Sequence, residues 1–432
     1  MLFWVQALVK VGIIVGILAQ VGAILLWVER KQSAMMQDRM GPNRAFIPLF
    51  GRKIRAAGLI HSIADGIKMV WKEDWRPPKA DKWLYAAAPI ISIVPPLCLF
   101  AVIPFGPTLH LNHLREMYQA SWTAEAGARV VPLQIADLDV GILFIFAVAG
   151  AGVIGAALAG WSSDNKFSLL GGLRAASQMV SYEVAMGLSL VGAFMVYQSP
   201  RIGEMVDWQV DHVWGIFAQP LAFVLFATAA IAETKRVPFD VPEGESEVVA
   251  GYFTEYSGLK FGMFAAGELV EVCTAGAILT TVFLGGWHMP FLTQRGVEVM
   301  ISAGRALDPE VVSAFVAQHG DKMVGFDAAA ELAQQHAVTA RDLLTHCGSS
   351  FAHLGTSFVW HWPHWAVVAV GAGNFLLKVL LLVFLQLQIR WTLPRFRYDQ
   401  IMKLGWRVLL PAALVNVLAT GTILLFLQAG RA

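Results

Sequence analysis

Charge is what this sequence has least of. Only 15% of its 432 residues are charged while 56% are hydrophobic, and the mean hydropathy is +0.58. A soluble domain of this size could not cover so much apolar surface, so lipid must be part of the solvent. Cysteine is scarce as well. Cys98, Cys273 and Cys347 lie far apart with no C-x-x-C or Cys/His spacing, which argues against a disulfide framework, a zinc site or an iron–sulfur site. A net charge of +1 argues against a nucleic-acid partner. No P-loop, G-x-S-x-G elbow or haem-attachment pattern occurs, so the chain has nothing of its own to carry electrons. There is no long internal repeat of the kind built into many secondary transporters. No small-residue cleavage site follows the first apolar run, which reads as a retained helix rather than a signal peptide.

What the chain does have is apolar runs of membrane length. A bilayer core of roughly 30 Å takes roughly 20 residues of helix. Val11–Val28, Leu84–Phe105, Ile142–Trp161, a shorter Phe217–Ala232, Trp365–Leu385 and Val408–Leu427 satisfy this. Leu169–Tyr197, with Arg174 and Glu183, and Phe261–Trp287, with Glu268 and Glu271, are charged candidates. The reading is an all-α integral membrane protein of about eight transmembrane helices. The linkers after spans one, three, five and seven carry 22 of the 32 basic residues. The positive-inside rule puts those linkers in the cytoplasm and both termini in the periplasm of an inner membrane. Three regions are expected: a membrane domain over 1–287, a periplasmic insertion over 288–360, and a second membrane segment over 361–432. Asp308-Pro309-Glu310 reads as a helix start, so the insertion is expected to be small and helical.

The first inner loop starts with Glu29-Arg30-Lys31 and runs through Arg39 to a Gly41-Pro42-Asn43 turn. The basic residues alone could be a stop-transfer cluster. Glu29, a carboxylate closing an apolar helix beside two cations, has partners and a reason to be buried. Leu59 to Trp71, with Asp65, alternates apolar and charged residues at helical spacing and is expected to be an amphipathic helix on the membrane surface. Glu183 lies roughly four turns into its span, where it must face the bundle interior and be either protonated or paired.

The loop after span five reads Glu233-Thr234-Lys235-Arg236-Val237-Pro238-Phe239-Asp240-Val241-Pro242-Glu243-Gly244-Glu245-Ser246-Glu247, with Glu255 following. A solvated acidic turn is the ordinary meaning of such a run. Here the acids occupy a side where basic residues are expected, and they continue into the membrane as Glu268 and Glu271. Carboxylates crowded at low dielectric cannot all ionise, and their titrations couple. That makes the group a proton-relay candidate. Lys378, deep in span seven, is either a structural ion-pair partner or part of a proton path. His361 and His364 sit in a tryptophan-rich segment that reads as an interfacial aromatic belt rather than a metal site.

Several runs, in order and on one membrane face, closely resemble the H subunit of bacterial NADH–quinone oxidoreductase (respiratory complex I) and its mitochondrial counterpart. They include Glu29-Arg30-Lys31 through Asn43, Ile63-Ala64-Asp65-Gly66-Ile67-Lys68, Gly160 through Glu183, Ala232 through Gly258, and Arg390 through Gln400. The resemblance implies a subunit at the junction of the hydrophilic and pumping arms, with quinone as substrate. It implies that FMN and iron–sulfur clusters are held by partner subunits, none by this chain, and that antiporter-like membrane subunits are neighbours. Glu29, Arg30, Arg39, Asp65, Arg236, Phe239 and Asp240 are implied to line the quinone tunnel. Glu243, Glu245 and Glu247, with Arg236, belong to a loop that reorganises with quinone occupancy, and Glu183, Glu233, Glu255 and Glu268 form an acidic path. His61-Ser62 in place of Gln-Pro, a lengthened segment over 46–57 and the long 288–360 linker depart from the family pattern. The homologous membrane subunit of a hydrogenase, or of a dehydrogenase using another donor, shares these junction motifs. A free-standing ion transporter or a plain anchor would explain them less well.

Overall fold

The computed structural model describes residues 2–49, 52–116, 129–242, 244, 251–290, 292–293, 296–305 and 354–429. Among them, seven helices are long and apolar enough to cross a membrane, with one shorter apolar helix, so the chain is a multi-pass membrane protein. Contacts divide it into two units, one of residues 1–106, 132–288 and 372–432, the other of residues 107–131 and 289–371.

In the first unit α1 (Leu2–Met36) is 35 residues long. At 1.5 Å per residue it rises about 50 Å, well beyond a bilayer core, which carries Glu29 past the apolar stretch. An antiparallel hairpin follows, β1 (Ile47–Leu49) paired with β2 (Arg52–Ile54). It leads into α2 (Ile60–Trp71), none of whose residues is buried. α3 (Lys82–Leu99) starts at Asp81, whose carboxylate accepts from the Trp83 and Leu84 amides at 3.0 and 3.1 Å.

α4 (Gly141–Ser162) and α5 (Lys166–Tyr197) form a helical hairpin, α5 being N-capped by Asn165. Gly150, Gly152 and Gly155 match a G-x-G-x-x-G spacing, but they lie in mid-helix rather than at a strand–turn–helix junction. Their role is packing: a Cβ on Gly155 would stand 2.5 Å from Ser92 Oγ and 2.8 Å from its amide nitrogen, so α3 and α4 meet backbone to backbone there.

α6 (Ile202–Asp211) and the single turn α7 (Gly215–Ala218) precede α8 (Pro220–Glu233). The expected span over Phe217–Ala232 is thus broken at Gln219, because Pro220 starts a helix well and continues one badly. Buried Gln219 donates to Thr420 Oγ1 at 3.0 Å and accepts from Asn416 at 3.3 Å.

α9 (Gly258–Phe283) is the central helix, packing on α1, α2, α3, α6 and α8, and nearly every residue after Phe264 is buried. α10 (His364–Thr392) is followed by α11 (Tyr398–Leu404), a π-helical turn over Gly405–Leu409 and α12 (Leu410–Ala429).

The second unit holds short strands: β3 (Leu109–His110) with β4 (Val130–Val131), and the antiparallel order β5 (Leu292–Thr293), β6 (Gly296–Arg305), β7 (Leu354–His361). These pairings correct the all-α expectation, since the fold is largely helical with small strand additions. Within the 288–360 segment the described residues include strands at 292–293, 296–305 and from 354 on, and the helices expected from Asp308 and near Thr339 lie outside the described residues.

Candidate functional site

Glu29 sits on α1 just past its apolar run, and Arg390 sits in the last turn of α10, where a cation suits the helix dipole. Glu29 Oε1 accepts from Arg236 Nη1 at 3.2 Å and also from Arg390 Nη1. The three side chains are only 10–15% exposed. Two guanidiniums share one carboxylate in a poorly solvated place, where their donors can stabilise a group that gains negative charge. Arg236 Nε is buried with no hydrogen-bond partner among the described residues. Arg30 pairs with Asp65 at 2.6 Å, linking α1 to α2 in a more open position. Arg39 bonds locally to Gln37 at 2.6 Å and is exposed, so it does not join the Glu29 cluster.

The loop after α8 is stitched down by α5. Gln178 Nε2 donates to the carbonyls of Ala232 at 2.7 Å and Phe239 at 2.9 Å, holding the first turn of the loop at two points. Phe239 is buried between Tyr182 and Phe396, with ring centroids 5.6 and 5.5 Å away, and Asp240 beside it is buried too. Glu243, Glu245 and Glu247 lie outside the described residues.

Behind this loop the acids form a series. Glu268, buried on α9, accepts from the Tyr252 hydroxyl at 3.3 Å. One turn on, Glu271 takes the Lys235 ammonium at 3.2 and 3.3 Å. Glu233 and Glu271 line an internal cavity of about 60 Å3, otherwise walled mostly by apolar groups such as Pro95, Ile145, Met179 and Phe226. A cavity of this size with polar groups on one wall can hold water. Glu183 approaches α4 so closely that a Cβ on Gly150 would stand 3.1 Å from its carboxylate oxygen. Glu268 interacts electrostatically with Glu271, Glu271 with Glu233, and Glu233 with Glu183. The four carboxylates thus form one electrostatically linked series, with the Lys235 ammonium against Glu271.

Glu255 stands apart from that series. Its carboxylate accepts from Asn165 at 2.6 Å, and its carbonyl from the Tyr85 hydroxyl at 2.8 Å. Tyr85 stacks on Tyr256 at 4.1 Å. Burial pushes the Tyr256 phenol up to about 12, leaving it a neutral hydrogen-bonding group.

Lys378 meets carbonyls rather than a carboxylate. Its Nζ donates to Leu284, Gly286 and His288 oxygens at 2.6, 3.1 and 2.5 Å and lies 4.5 Å from the Trp214 ring centroid. It caps the chain leaving α9, with Asn374 doing the same one turn away. In the second unit His364 pairs with His110, accepting its amide at 3.1 Å. Among the described residues no group of three or more His, Cys, Asp or Glu side chains is arranged to hold a metal ion.

Sequence reasoning gave no role to Arg390 or Lys235, and it named Glu271 among the relay acids without its partner. Arg390 lies 361 residues from Glu29, and only its place in a matching run marked it. Glu271 was visible as a second acid on α9, and Lys235 as a cation in an acidic loop. Neither shows its partner until α8 and α9 are side by side.

The profile of the NADH dehydrogenase family matches residues 9–421. The H 1 subunit of the NADH-quinone oxidoreductase of Geobacter metallireducens is 38% identical over 418 residues, covering 97% of this chain and 96% of the relative. The H 2 subunit from Geobacter sulfurreducens is 37% identical over 417 residues (96% and 96%), and the H 1 subunit from Solibacter usitatus is 38% identical over 421 residues (96% and 96%). With near full-length matches at this identity, the chain belongs to the H-subunit family of NADH-quinone oxidoreductases, membrane subunits of a larger redox complex.

Proposed function

We propose that this chain forms the membrane part of the quinone tunnel in a proton-pumping NADH–quinone oxidoreductase, and that its acid series couples quinone reduction to proton translocation. Quinone reaches the Glu29–Arg236–Arg390 cluster between α1, the loop after α8 and the end of α10, with α2 lying along the membrane surface at the entrance. Phe239 and Asp240 border the head group, and Arg30, Arg39 and Asp65 line the approach. The electrons come from an iron–sulfur cluster of a partner subunit in the hydrophilic arm. As quinone takes up electrons it gains negative charge, which the two guanidiniums of the cluster stabilise. The same charge acts on Lys235 and Glu271 through Arg236, whose field reaches Glu271. Proton occupancy then shifts along Glu268, Glu271, Glu233 and Glu183 toward the antiporter-like subunits. Glu243, Glu245 and Glu247 belong to the loop that responds to quinone occupancy, and Glu255, although apart from the other four acids, serves the path from the loop side. The membrane is the inner membrane, and both termini are periplasmic.

The observation that supports this reading is the series in which Lys235 meets Glu271 at 3.2 Å, Glu271 shares a cavity wall with Glu233, and Glu233 feels the charge of Glu183. Glu233→Gln and Glu183→Gln in the assembled complex test it. NADH oxidation with an artificial acceptor should persist, while quinone-linked activity and proton transport fall. Normal pumping in both variants would remove the acid series from the mechanism.

A further inference from the structure

Residues 40–64 contain Arg44, Arg52, Lys53 and Arg55 and no acidic residue. Among the described residues, Arg44, Lys53 and Arg55 are exposed and take part in none of the ion pairs. Lys53 instead lies 4.9 Å from the ring centroid of Phe46, which is itself exposed, as is Ile47. A hairpin that is both basic and greasy is unusual on a surface facing water alone.

The hairpin is fixed in place. Trp27 Nε1, at the inner end of the apolar run of α1, donates to the Ala57 carbonyl at 3.0 Å, and the Ala45 amide donates to His61 Nε2 on α2 at 3.2 Å. Ala56 and Ala57 have positive φ, and Gly58 (φ +97°) lies so close to Pro42 that a Cβ would stand 2.2 Å from its carbonyl oxygen. The neighbouring Gly41 sits against the Lys31 stem. The hairpin base, Trp27 and Lys31 therefore share one corner. From that corner an open groove runs between α1 and α10, about 310 Å3 in volume, walled by Trp27, Val28, Lys31, Met35, Met36 and Phe384. α2 continues the same surface with Ile63, Ile67, Val70 and Trp71 all exposed.

We propose that this corner binds an anionic phospholipid. One acyl chain lies in the Trp27–Phe384 groove, and the phosphate is met by Lys31 and surrounded by Arg44, Lys53 and Arg55. An acidic protein surface could satisfy the cations, but it would leave the groove and the exposed Phe46 and Ile47 unused. A lipid satisfies both, and the apolar surface of α1 beside it already faces acyl chains. Which leaflet it occupies follows from the orientation proposed above; the binding itself does not depend on that orientation.

The assembled complex, reconstituted in phosphatidylcholine nanodiscs with and without phosphatidylglycerol, provides the test. Native mass spectrometry and lipid quantification would follow phosphatidylglycerol retained by the wild type, by the triple variant Arg44→Gln/Lys53→Gln/Arg55→Gln and by Lys31→Gln. Each neutralised residue is expected to weaken retention roughly fivefold, and added salt should do the same in the wild type. Retention at the wild-type level in both variants would overturn the proposal. So would a triple variant that keeps its phosphatidylglycerol but sheds soluble subunits, which would make the hairpin a protein dock.

Discussion

Replacing Glu29 by glutamine would take from the Arg236 and Arg390 guanidiniums the carboxylate they share. Removing one partner of a buried ion pair costs about 3–5 kcal/mol, because the remaining charge stays desolvated. Here the carboxylate is 10% exposed and the guanidiniums 10% and 15%. That small exposure places the expected loss near about 3 kcal/mol, the lower end of the range. The internal control is Asp65→Asn. Its pair with Arg30 is 28% and 39% exposed, so its removal should cost below about 1 kcal/mol. Unfolding of the purified chain by SDS titration in mixed micelles, followed by circular dichroism, gives both numbers. The double variant Glu29→Gln/Arg390→Gln should be more stable than Glu29→Gln by about 1–2 kcal/mol, since it removes one of the two guanidiniums that repel each other once the shared carboxylate is gone. A Glu29→Gln loss no larger than that of Asp65→Asn, or strictly additive losses in the double variant, would refute a buried three-membered cluster.

Lys378→Met should destabilise the chain by about 2–4 kcal/mol in the same assay, through three lost charge-assisted bonds to the carbonyls leaving α9; intact stability with failed proton transport would instead favour a proton-path role. Gly155→Ala should cost about 1–3 kcal/mol by forcing α3 from α4, and a neutral effect on unfolding would mean the two backbones can separate freely. His288 is half-buried beside Lys378, and both effects, desolvation first, hold its imidazole below its ordinary value of 6.5. The unfolded chain therefore takes up this proton first. The stability linked to His288 is complete above pH 6.5 and is lost as pH falls through the lower folded value. Melting of the purified chain across this window should show a smaller acid-side drop in His288→Gln, and an unchanged slope would contradict the burial argument.

Much of the helical frame is legible because a membrane leaves few alternatives. Runs such as Ile142–Trp161 and Leu169–Tyr197 fall inside α4 and α5, which extend them by a turn or less at most ends. The hairpin over 47–54 is not legible, because three-residue strands have too few positions to show an alternation. Nor is the break at Gln219, whose partners Asn416 and Thr420 lie some 200 residues away.

The site shows the same division. The sequence marks Glu29, Glu233 and Glu268 as acids with no solvent-side reason to be there. It cannot reveal that Glu29 meets Arg390, or that Glu271 holds Lys235, since those pairings exist only once α1 lies by α10 and α8 by α9. Arg39 shows the converse limit. It belongs to a matching run, yet its side chain turns to Gln37 and away from the cluster.

Charge arriving at the Arg236 cluster must change the protonation of buried carboxyls if the two halves of the site act together. Difference infrared spectroscopy of the assembled complex, before and after quinone reduction, reads protonated carboxyl groups directly. The wild type should show a carboxyl band that changes with quinone reduction and is lost or displaced in Glu233→Gln. Identical difference spectra in the two proteins, with quinone fully reduced in both, would contradict the coupling of quinone charge to the acid series.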